Sequence, residues 1–149
     1  DAFTLRGMLE GHAASRAARR ISAKQLNDLR AENEGLRLAI DRTQPDVTAF
    51  LEHNRRFHAI IVEAAASEKL ESLLSRIVEQ PVVWRTAQHY DHENLMRSWR
   101  EHEELLTAFA RRDDVWAASV MTGHIRRAFH SYADAHRGDL VTAIAEAAE

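Results

Sequence analysis

The run Val47-Thr48-Ala49-Phe50-Leu51-Glu52-His53-Asn54-Arg55-Arg56-Phe57-His58-Ala59-Ile60-Ile61 decides the fold class. Its apolar residues return at the period of a helix with one buried side. Val47, Phe50, Leu51, Ile61 and Ala65 share that side with two polar residues, Asn54 and His58, which lie one turn apart. A buried amide and a buried imidazole each need a partner, so this helix implies company elsewhere in the chain. Two later stretches supply it. Leu95, Trp99, Leu105, Leu106 and Phe109 flank His102, and Trp116, Ala117, Val120, Met121, Ile125, Ala128 and Tyr132 flank His124.

Outward from that run, the chain reads as helix after helix. A first helix is expected over about Ala2 to Ala18, where Arg6 and Glu10 stand four apart and read most simply as an exposed ion pair. Ser22-Ala23-Lys24-Gln25 has the form of a capping box and opens a second helix with Leu26, Leu29, Leu36 and Ile40 in a seam that Asn33 completes. Gln44-Pro45-Asp46 starts the third, with Pro45 near its first position and Asp46 in its first turn; it is expected to end near Ala66. Ser67 caps a fourth, buried through Leu70, Leu73, Leu74, Ile77 and Val78, and Pro81 kinks or restarts it before Val82-Val83-Trp84-Arg85. Asp91 and Asp113-Asp114 mark the last two starts. The tail from Asp139 is expected to form a short helix of its own or to fray.

With two prolines, five glycines and few β-branched runs, the fold class is all-α, an antiparallel helical bundle of about six to seven helices in one domain over residues 1–149. A length of 149 residues suits a single core. No apolar run is long enough to span a bilayer, and no signal peptide is evident. The absence of cysteine excludes disulfides and thiolate metal sites. A formal net charge of −3 argues against this segment gripping a nucleic-acid backbone by itself.

Three histidines from three helices, with Asn54 beside one of them, could fill most of the shell of a borderline divalent ion and leave a position open. Nitrogen and oxygen donors suit zinc or nickel, with manganese, cobalt and iron also compatible. All four ligands are neutral, so the ion's charge would favour an anionic further ligand such as a carboxylate. The Glu-x-x-His pairs of di-iron bundles, the His-Glu-x-x-His motif, phosphate loops and nucleophile elbows do not occur. Two other readings stay open. One is a metalloenzyme, discouraged because the acidic residues fall mostly on polar faces, and the other is a metal-free helical interaction module whose histidines are satisfied by hydrogen bonds. His12, His53, His89, His92, His130 and His136 are expected to be solvated.

Four segments in order, Arg6-Gly7-Met8-Leu9-Glu10, Asn54-Arg55-Arg56-Phe57-His58, Glu101-His102 with Leu105-Leu106, and Met121-Thr122-Gly123-His124-Ile125, resemble the FCD domain, the effector-binding and oligomerisation domain of a branch of GntR transcriptional regulators. The likeness runs from Asp1 to about His136. It implies a metal held by Asn54, His58, His102 and His124, and a small organic acid as effector, with Arg6 facing it. It also implies a homodimer in the cytoplasm and operator DNA bound through an N-terminal winged helix-turn-helix domain that this chain does not include. Asn54 departs from the family's frequent Asp, which keeps an oxygen donor and loses its charge.

Overall fold

The computed structural model describes residues 2–78 and 80–146, and among them it is all-α. The helices are α1 (Ala2–Arg20), α2 (Ala23–Ile40), α3 (Val47–Ala64), α4 (Glu68–Ile77), α5 (Gln80–Gln88), α6 (His92–Ala110) and α7 (Asp114–Glu146). Short turns reverse the chain between them, giving the expected antiparallel bundle.

The starts are fixed by side chains that occupy the free amides of each first turn. Ser22 and Gln25 form a reciprocal capping box, each side chain meeting the other's backbone N–H at 3.1 Å. Asp46 accepts from the Ala49 amide at 2.9 Å, so Asp46 is the cap of α3 and Pro45 lies outside the helix, which begins at Val47, later than the sequence pattern suggests. Ser67 and Asp91 cap α4 and α6. Pro81 stands in the first turn of α5, a restart after a break at Val78, where the missing N–H costs nothing.

Two ends turn without glycine. Ala66 and Arg112 adopt φ of 49° and 55°, which costs a residue with a Cβ about 1–2 kcal/mol. Guanidinium groups secure the neighbourhood of both. Arg16 donates to the carbonyls of Ala65 and Ala66 at 2.9 and 3.2 Å. Arg112 donates to those of Arg19 and Ile21 at 3.2 and 3.3 Å, satisfying the end of α1, which runs on to Arg20 beyond the expected Ala18.

Phe57 and Ile61 of α3, Leu105 and Phe109 of α6, Met121 and Ile125 of α7, Leu29 of α2 and the alanines of α1 make the main core. Asn33 is buried in the α2 seam and donates to the Glu103 carboxylate at 2.5 Å, fixing α2 against α6. Leu70 and Leu74 pack on Ala13 and Ala65. Leu73, expected beside them, is instead 48% exposed, because it lies about 100° round the helix from Leu74 and α4 presents only a narrow stripe. The chain from Asp139 continues α7 to Glu146 and forms no separate helix.

Helices α1 and α7 meet most closely where α1 has least side chain. Gly7 faces Ile125, and a Cβ on Gly11 would fall 3.3 Å from the Ala118 carbonyl oxygen and against the Thr122 hydroxyl. Gly11→Val is therefore expected to cost about 1–3 kcal/mol by forcing the helices apart, read as a lower urea midpoint with unchanged helical circular dichroism.

Candidate metal and effector site

The apolar stripes of α3, α6 and α7 turn His58, His102 and His124 into the same interior space. All three are buried. Their ring centroids lie 5.0 to 5.5 Å apart, and one nitrogen from each falls within 4.8 Å of the others. Phe57 stacks flat on His102 at 3.9 Å and holds that ring's plane.

Carboxylates grip two of the rings from behind. Glu10 of α1 makes a short hydrogen bond to His58 Nδ1, and Glu101 of α6 bonds His124 Nδ1 at 2.6 Å. A carboxylate on Nδ1 takes its N–H and leaves Nε2 with a lone pair for the interior, the arrangement that orients imidazoles around metals. Each carboxylate is in turn held by an arginine. Arg6 Nε meets Glu10 at 2.6 Å, and Arg127 clamps both oxygens of Glu101 at 2.8 Å while donating to Ser98 Oγ at 2.8 Å. Arg127 also lies over the Tyr90 ring at 5.9 Å.

These groups set the charge of the site. Burial pushes His102 well below the ordinary histidine value, and the nearby His124, His58 and Arg127 push the same way. Burial lowers His124 too, outweighing the opposing pull of Glu101. Burial alone would raise both carboxyls. Arg6 and His58 nevertheless hold Glu10 far below the usual carboxylate range, and His124 with Arg127 holds Glu101 at about 2. The result is that His102 and His124 favour the neutral ring, with ionised carboxylates behind His58 and His124.

His58 Nε2 and both nitrogens of His102 are buried without a hydrogen-bond partner. An unpartnered buried polar atom costs about 1–3 kcal/mol, and three at one spot mark a place built for something else. A divalent ion fits these donors, since three neutral imidazoles are suited to zinc, nickel and related ions.

Two cavities adjoin the cluster. The larger, about 230 Å³, opens between α1, α3, α4 and α5 and includes Arg6, Asn54 and His58 in its wall. The smaller, about 40 Å³, lies on the His124 side and shares Arg6, Asn54, Leu51 and Val83 with the first. Asn54 is half-buried, one turn before His58, at the boundary of both. Tyr90 reaches the smaller cavity, Arg85 is exposed, and none of the three tryptophans lines either space.

Sequence pattern alone does not single out Glu10, Glu101 or Arg127 as site residues. Arg6 and Glu10 are an interior pair, 11% and 6% exposed at their side chains, and not a surface one; the available signal is that Glu10 precedes Ala13, Ala14 and Ala17 on the buried stripe of α1. Glu101 and Arg127 each lie beside or one turn from a stripe histidine and point back into the core edge. Acidic groups are thus close to the cluster after all, yet Glu10 and Glu101 are occupied by an imidazole and an arginine each. Among the other histidines, His12, His89, His92 and His130 are exposed as expected. His53 is not free in solvent, since its Nδ1 meets Glu32 at 2.7 Å over Gly35. The side chain of His136 lies outside the described residues.

Compared with known families, residues 1–127 match the FCD domain. No curated protein sequence matches the chain.

Replacing an unpartnered imidazole tests whether the cluster is there for stability. In the presence of chelator, His102→Leu is expected to leave the domain as stable or to raise its stability by about 1–3 kcal/mol, measured by urea unfolding at pH 7.5. The sign with pH follows from the lowered values of His102 and His124. Between those values and 6.5 the unfolded chain binds more protons than the folded one, so stability falls as pH drops below about 6.5. His102→Leu should remove up to one proton from that dependence, about 1.4 kcal/mol per pH unit, seen by repeating the unfolding at pH 5.5.

Proposed function

The chain belongs to the FCD family of GntR-type effector-binding domains, and on that premise we propose that it senses a small organic acid through a bound divalent metal and passes the signal to an attached DNA-binding domain. FCD domains are non-catalytic effector-sensing modules, and the chain is not an enzyme. The observation that carries the metal reading is the group of three buried imidazoles with unpartnered nitrogens beside a cavity that includes Arg6.

His58, His102 and His124 would supply the nitrogens, and Asn54 an oxygen. Zinc and nickel lead the candidates, with manganese, cobalt and iron compatible with the same donors. When bound, the ion would supply positive charge and an open position for a carboxylate. The chain's own groups do the rest. Glu10 and Glu101 fix the rings in the tautomer that presents Nε2, Phe57 keeps His102 flat, and Arg6 lies in the wall of both cavities.

Arg6, Glu10 and His58 form one connected line from α1 to α3. An acid that draws Arg6 toward itself loosens the hold on Glu10, and so on His58, which gives ligand and metal a shared path. In this reading the domain acts in a cytoplasmic homodimer, where a shift of α1 against α3 alters the spacing of two winged helix-turn-helix domains on operator DNA. None of the described helices is long and apolar enough to cross a membrane.

Elemental analysis of untagged protein, purified without added metal or chelator, is the first test. About one divalent ion per chain is expected, lost in His58→Ala. No ion in the wild type, even after reconstitution with zinc, nickel and manganese, together with stability indifferent to chelator, would favour the metal-free helical module. Two variants probe the finer roles. Asn54→Asp adds a charged oxygen and should tighten zinc binding at least tenfold in a chelator competition. Arg6→Gln should weaken binding of the acid by about tenfold or more while the metal is retained.

A further inference from the structure

If the site senses an organic acid, as proposed, the wall of the larger cavity restricts which class of acid it accepts. Both arginines in that cavity's wall have carboxylate partners. Arg6 is held by Glu10 at 2.6 Å and Arg55 by Glu52 at 2.8 Å, while Glu71 adds a carboxylate from α4. A divalent ion on neutral ligands would bring the uncompensated positive charge, and it sits at one place. Among the described residues the rest of the wall is mostly Leu51, Ala59, Val62, Leu74, Val78 and Val83, with Asn54 beside His58 and a hydroxyl from Ser75.

We infer that the effector is a monocarboxylate with an apolar tail, and neither a dicarboxylate nor a polyhydroxy acid. One carboxylate meets the metal end. A second, beyond the reach of the metal end and Arg6, would be stripped of water with Arg55 paired to Glu52 and Glu71 in the same wall, which disfavours it. Hydroxyl groups along a sugar-derived acid would face leucine and valine and lose their hydrogen bonds to water without replacement. An alkyl or aryl tail gains from the same surfaces by leaving water.

The test is calorimetry on the full chain loaded with zinc, using hexanoate, adipate, gluconate and 1-hexanol as probes. Hexanoate should bind at least tenfold tighter than adipate or gluconate, and hexanol at least tenfold more weakly than hexanoate. Val62→Thr keeps the shape and adds a hydroxyl to the wall. It should weaken hexanoate about tenfold with zinc stoichiometry unchanged. Adipate or gluconate binding as tightly as hexanoate would overturn this inference and leave the sensing role standing. Binding of none of the three acids would overturn both, and hexanol matching hexanoate would remove the carboxylate from the account.

Discussion

Three imidazoles can share one dry pocket only if no two of them are charged together, because two positive charges about 5 Å apart in a poorly solvated interior repel strongly. Neutral rings, however, are free to choose which nitrogen carries the proton, and an undirected cluster would bond to itself. Glu10 and Glu101 remove that freedom for His58 and His124 by accepting a hydrogen bond from Nδ1–H on the far side. Those carboxylates survive burial only because Arg6 and Arg127 stand behind them. The chain of dependence runs outward from the imidazoles to the carboxylates, then to the guanidinium groups, and so to four helices.

That dependence explains the architecture around the site. Helix α1 brings no histidine to the cluster, yet it supplies Arg6 and Glu10 and is pressed onto α7 at Gly11, where a side chain would hold the helices apart. Helix α6 supplies both His102 and the carboxylate that orients His124 on α7, so one helix serves two rings. Helices α4 and α5 close the cavity from the side, through Glu71, Leu74 and Ser75 of α4 and Val83 of α5 among the described residues. The ring positions belong to the rigid middle of the bundle and the cavity to its thinner flank.

Much of this is legible from residue order. His58, His102 and His124 each interrupt a clear apolar stripe, and a stripe tells which way a helix faces. Caps such as Ser22 and Ser67 are legible because their chemistry acts within one turn. Glu10 is not, since an arginine and a glutamate four apart look the same on a surface as in a core, and only the arrival of α3 and α7 buries them. Leu73 misleads for a related reason: its apolar character says nothing about how wide a stripe the neighbour covers. Asp46 displaces Pro45 as the start of α3 because an oxygen that reaches an amide outweighs a favourable φ angle. The cavity depends on several helices at once and has no local signature.

The intimate contact between α1 and α7 also has a meaning for how the molecule comes into being. It joins residues more than a hundred positions apart, so its formation waits on the closure of a long loop that contains five other helices. His124 rides on that last helix. A chain emerging during synthesis carries His58 and then His102 before the third ring can join them. The complete triad of imidazoles thus exists only in a molecule whose last long helix has docked.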